Sequence, residues 1–162
     1  MDVVPEKRLS LFAEMEDMYE KKDVDYFVKL LDNDDYVVRT RATCILVDFG
    51  GEDKIPYIAK VLKNDPNELV RHEAAFSLGQ MGYRSAIKHL EEATRDDSSM
   101  FVRHEAAIAL GVVGAKEARQ TLENALDDPS EPVKESAVVA LSNLIFMEKL
   151  SKNEKFAKLT GG

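Results

Sequence analysis

Two His-Glu pairs, His72-Glu73 and His104-Glu105, stand thirty-two positions apart inside nearly matching phrases, LVRHEAAFSLGQMG (69–82) and FVRHEAAIALGVVG (101–114). Histidine is scarce, with three in the chain, and two of the three occupy these slots. Two imidazoles and two carboxylates at equivalent points of a repeating unit are the donor types of a metal site. Two His and one carboxylate with open positions is the arrangement of non-haem Fe(II) centres, and zinc accepts the same ligands. Successive residues of a helix point about 100° apart, so His72 and Glu73 cannot share one direction. His72 lies on the side of Ala75, Phe76 and Gly79, and His104 on that of Ala107, Ile108 and Gly111. Stacked helices sit roughly 8–10 Å apart, so imidazoles from adjacent repeats can converge on one ion. Duplication of one His-Glu pair would leave the same pattern, since nine of the fourteen residues match between the phrases.

What positions the pairs is a repeat. Aligning on Val followed by a basic residue gives Val38-Arg39, Val70-Arg71, Val102-Arg103 and Val133-Lys134, in steps of 32, 32 and 31 residues. Four positions after each Val comes Ala42, Ala74, Ala106 or Ala137, and four further on Leu46, Leu78, Leu110 or Leu141. This spacing is one stripe of an α-helix, and the alanine admits a close neighbour. Apolar helix-compatible segments precede each stripe, and Asp/Asn/Ser clusters between them break one helix and cap the next. Gly50-Gly51, Gly82 and Gly114 read as C-caps.

The predicted fold class is therefore all-α: an α-solenoid of about four HEAT-like helical hairpins with an N-terminal capping helix. The expected boundaries are a cap at 1–22, repeats at about 23–50, 51–82, 83–114 and 115–148 within a domain of 23–150, and a weakly ordered tail at 151–162. Gly79 and Gly111, seven residues after each dyad His, cost on the order of 1 kcal/mol each relative to alanine. Clearance for a ligand and close helix packing both account for them. Thr40-Arg41 and Glu135-Ser136 fill the dyad slots of the outer repeats, so metal chemistry is confined to the middle two. His89 reads as a surface residue and Cys44 as buried filler rather than a nucleophile.

Composition narrows the function. The chain is 44% hydrophobic and 32% charged, as a folded helical protein would be, and its formal charge of −8 argues against a sequence-independent grip on nucleic acid. No run is long enough to span a membrane. A single cysteine and the absence of a secretory leader point to a reducing, cytoplasmic location.

The phrases VRHEAAFSLGQMG, VRHEAAIALGVVG and DDPSEPVKESAVVAL, in that order and spacing, resemble one half of deoxyhypusine hydroxylase; the repeats resemble phycobilisome lyases more distantly. The resemblance spans roughly Asp35 to Glu148. It implies a HEAT-like solenoid with a non-haem di-iron centre that hydroxylates a spermidine-derived side chain on a lysine of a translation factor. It implies further that His72, His104 and Glu105 bind one iron and that Glu73 faces the substrate's cationic amine. That family has two such halves and four dyads, whereas this chain has one half and two. A homodimer would rebuild the set across a two-fold axis. The reading from a different class is a non-enzymatic adaptor that binds another protein on its concave face.

Overall fold

The computed structural model describes residues 5–150. The tail expected at 151–162 and the first four residues of the expected cap lie outside them. Among the described residues there are helices and no strands. The cap is α1 (Glu6–Glu20), and four hairpins follow: α2 (Val24–Leu30) with α3 (Tyr36–Phe49), α4 (Ile55–Asn64) with α5 (Glu68–Met81), α6 (Ile87–Asp96) with α7 (Met100–Val113), and α8 (Arg119–Ala125) with α9 (Glu131–Lys149). Single 3-10 turns lead into α4, α6 and α8.

The Val/Ala/Leu stripe forms the core. Val38, Val70, Val102 and Val133 are buried, as are Ala42, Ala74, Ala106, Ala137, Leu46, Leu78 and Leu110. Leu141 is only partly covered. It belongs to the last repeat, which has no follower among the described residues. The first helices contribute one buried face each, such as Ile55, Ile58 and Leu62 on α4 and Ile87, Leu90 and Ala93 on α6. The second helices α3, α5, α7 and α9 pack against one another in series and bring the dyads onto neighbouring elements.

Capping follows the turn residues in part. The side chains of Asp23, Asp35 and Asn67 accept backbone N–H groups of α2, α3 and α5, while Ser99 and Ser130 make no side-chain cap. Gly82 and Gly114 end α5 and α7 at φ of 68° and 73°, the left-handed conformation that a Cβ penalises.

Close packing explains Gly79. A Cβ there would fall 2.8 Å from the Cβ and 3.1 Å from the Cα of Ala109 on α7. The obstacle is next to backbone and cannot rotate away. Room for a ligand is not what this glycine provides. Gly79→Ala, which adds helix propensity, should nevertheless destabilise the protein by about 1–3 kcal/mol through overpacking. Urea unfolding read by circular dichroism checks the sign.

The arginine after each stripe valine ties its repeat to the next. Arg39 holds Asp65 through two nitrogens at 2.7 and 2.9 Å, Arg71 holds Asp97 at 2.8 and 2.9 Å, and Arg103 holds Asp128 at 2.8 and 3.0 Å. Each arginine also donates to a carbonyl of the turn before its own helix: Asn33, Asp65 and Asp97, at 2.8, 2.9 and 2.9 Å. The same aspartates accept the N–H two residues on, from Asn67, Ser99 and Ser130. The result is a ladder of bidentate pairs joining consecutive turns, buried at Arg39–Asp65 and part-buried at the two following rungs. At the N-terminal end, Arg8 of α1 reaches Asp35 at 2.6 Å.

Candidate metal centre

The dyads begin at the second residue after each stripe valine, off the buried stripe. All four side chains are half-buried. Because each second helix stacks on the next, the residue two after the valine in one repeat faces the residue three after it in the following repeat. His72 thus meets Glu105, with Nε2 3.4 Å from Oε2, and His104 meets Ser136, with Nδ1 2.6 Å from Oγ. Neither histidine pairs with its own neighbour in sequence, as the 100° offset requires.

The structure brings together two of the three expected ligands. His72 and Glu105 converge from α5 and α7, while His104 is engaged with α9. Among the described residues, no three His, Cys, Asp or Glu side chains are gathered closely enough to hold an ion together. The donor chemistry nonetheless suits a metal. Ligand bonds of about 2.1 Å place two donors roughly 3.0 Å apart at a right angle and roughly 3.4 Å apart at the tetrahedral angle. The separation of His72 Nε2 from Glu105 Oε2 falls in that range. The side chain of His72 is 35% exposed and that of Glu105 12%, so the pair has solvent on its histidine side.

The hydrogen bond to Glu105 holds the His72 imidazole above its ordinary 6.5; burial opposes this, and the charges of Glu105 and Glu73 add to it. A folded-state pKa raised above the unfolded one means that the pair's stabilisation is fully present below pH 6.5 and is lost as pH rises through the folded value. Glu105→Gln should bring the His72 titration back toward or below 6.5, because burial remains while the carboxylate charge is gone. NMR titration of the histidine ring protons reads this directly.

Glu73, the expected substrate-facing carboxylate, meets Cys44 on α3, whose thiol donates to Oε1 at 3.0 Å. Cys44 is exposed, which corrects its expected role as buried filler. Its slot, six after Val38, belongs to the outward row that also carries Phe76, Ile108 and Val139, not to the core stripe. Crowding around the sulfur, with the Glu73 carboxylate beside it, pushes the thiol up to about 12. It stays protonated at neutral pH and is a poor nucleophile. His89, expected at the surface, is half-buried on α6.

Sequence reasoning missed Ser136 and the arginine ladder. The ladder had a signal: an Arg after the valine and an Asp twenty-five or twenty-six residues later recur three times. Ser136 had none, because its pairing with a histidine occurs once and does not recur along the chain.

Comparison with known proteins agrees with the repeat fold. The family model described as HEAT repeats matches residues 24–111 and 55–142. This chain belongs to the HEAT-repeat family. Its structure is similar to that of human deoxyhypusine hydroxylase in complex with glycerol, with a TM-score of 0.72 and 30% sequence identity. The match covers 84% of this HEAT-repeat chain and 48% of the hydroxylase, so the chain spans about half the length of the protein it matches. No curated protein matches the sequence significantly. Among the described residues no helix is long and apolar enough to cross a membrane.

Proposed function

We propose that this HEAT-repeat chain binds iron through His72, His104 and Glu105 and acts, as a homodimer in the cytoplasm, as a hydroxylase resembling deoxyhypusine hydroxylase. The observation that carries the reading is the convergence of His72 and Glu105 across two repeats, at a separation suited to two ligands of one ion. The likeness to human deoxyhypusine hydroxylase over 84% of the chain supports it. Iron would supply the binding and activation of dioxygen. The chain's own residues supply the rest. Glu73, the dyad carboxylate that is not a ligand, offers its charge to a cationic, lysine-derived side chain on a protein substrate. Exposed Leu69 and Phe101 on one side of the dyads, and Phe76 and Val139 on the other, give apolar walls for its methylene chain. Two chains facing each other across their dyads would double this donor set.

Metal content, mass and activity test the reading together. Protein purified without chelators, or loaded anaerobically with iron, should hold about one iron per chain and scatter light as a dimer. With a deoxyhypusine-bearing substrate, reductant and oxygen it should yield the hydroxylated side chain. Zinc in the same amount, with no turnover after iron loading, would keep the site and remove the oxygenase. Negligible metal would favour a second reading, an adaptor that uses the exposed apolar rows to bind another protein.

A further inference from the structure

The two dyad histidines address the following repeat through opposite ring nitrogens: His72 presents Nε2 to Glu105, and His104 presents Nδ1 to Ser136. The difference originates in the last repeat, where the slot that receives the histidine holds a hydroxyl instead of a carboxylate. Ser136 Oγ lies 2.6 Å from the carbonyl oxygen of Pro132, one turn earlier in α9, and 2.6 Å from His104 Nδ1. His104 Nδ1 is itself 3.4 Å from the same carbonyl. A carbonyl oxygen only accepts, and a serine hydroxyl has one proton to give. With that proton on the Pro132 oxygen, Ser136 offers His104 a lone pair, and Nδ1 must donate. A bare Nδ1 would instead aim its lone pair at the carbonyl as well. Ser136 is 3% exposed, so little water competes for its hydroxyl.

We propose that Ser136 is a positioning residue: its hydroxyl, committed to Pro132, holds neutral His104 as the Nδ1–H tautomer and leaves the Nε2 lone pair free to bind a divalent metal ion. What the lone pair binds rests on the metal reading above; the tautomer does not. A metal-binding imidazole whose other nitrogen donates to a fixed acceptor is oriented and made more basic by that bond. Here the acceptor comes from α9, so the last repeat, which lacks a dyad of its own, prepares the dyad before it.

The test uses the full chain, stripped of metal and labelled with 15N-histidine, at about pH 8, above the ordinary titration range of imidazole. Long-range proton–nitrogen correlation should show His104 protonated at Nδ1 in the native protein, a loss of that preference in Ser136→Ala, and its return in Ser136→Thr, which keeps the hydroxyl. Zn2+ affinity, measured by competition with a chromophoric chelator, should fall about 10–100-fold in Ser136→Ala and recover in Ser136→Thr. Circular dichroism establishes that each variant is folded. An Nε2–H tautomer in the native protein would overturn the proposal, as would an unchanged tautomer in folded Ser136→Ala. The expected tautomers without any Zn2+ or Fe2+ binding by the native chain would uphold the hydroxyl's hold on His104 and overturn the metal reading on which its purpose rests.

Discussion

Arg71→Ala should cost about 3–5 kcal/mol, a large part of the stability of a domain this size. The side chains of Arg71 and Asp97 are 12% and 8% exposed, and both guanidinium–carboxylate bonds are lost together. Asp97 would remain buried with its charge uncompensated. The Asp65 carbonyl that Arg71 also caps would lose its donor. Because the arginine joins consecutive turns, the damage should fall on the contact between repeats. Hydrogen exchange should therefore accelerate in α4 to α7 more than in α8 and α9. Chemical unfolding at pH 7 gives the magnitude. A loss below about 1 kcal/mol would show that the ladder behaves as an exposed ion pair does.

The same ladder sets the response to acid. The Arg103 guanidinium holds the Asp128 carboxyl below its ordinary 3.8, against the opposing effect of burial and helped by the Ser130 N–H. For a carboxylate with a depressed folded-state value, the stabilisation is complete above the unfolded value and disappears as pH falls through the folded one. Native protein should thus lose stability below about pH 4 more steeply than Arg103→Ala, in which Asp128 has no such partner. Melting temperatures from pH 7 down to pH 2 trace both curves.

Much of the fold was legible because the period of the sequence is also the period of the structure. Val, Ala and Leu at four-residue intervals specify one helical face, and their recurrence every 31 or 32 residues specifies stacking of that face. The helices carrying the stripe begin at Tyr36, Glu68, Met100 and Glu131, each directly after the Asp/Asn/Ser cluster that ends in Asp35, Asn67, Ser99 or Ser130. Legibility stopped where a residue's partner lies one repeat away. Periodicity gives the direction of Cys44 only relative to its own helix, and its slot, apolar in the other repeats, is exposed. The lateral offset between repeats, which sends His72 to Glu105 and His104 to Ser136, is a property of helix packing that no single-helix pattern contains. Gly79 illustrates the same limit. Its cost to the helix was visible, but its reason sits on α7, in Ala109.

The His72→Ala/His104→Ala variant should keep the native helical content and lose the metal altogether. Both side chains lie off the buried stripe, so no cavity opens in the core. The structural cost is confined to Glu105, which loses its partner, and to Ser136, which keeps Pro132. Removal of two of three ligands leaves a lone carboxylate, whose hold on an ion at one exposed edge is negligible beside that of a 2-His-1-carboxylate set. Melting temperature gives a readout independent of turnover. An ion that binds only the folded chain stabilises it by about 2.7 kcal/mol when present at about 100 times its dissociation constant. Added Fe2+ or Zn2+ should therefore raise the melting temperature of the native protein and leave that of the double variant unchanged. Glu105→Gln should fall between them, since it keeps both imidazoles and one neutral oxygen donor. Equal shifts in native and doubly substituted protein would place the ion elsewhere. The paired histidines would then be a product of duplication alone, kept for the contacts they make with the next repeat.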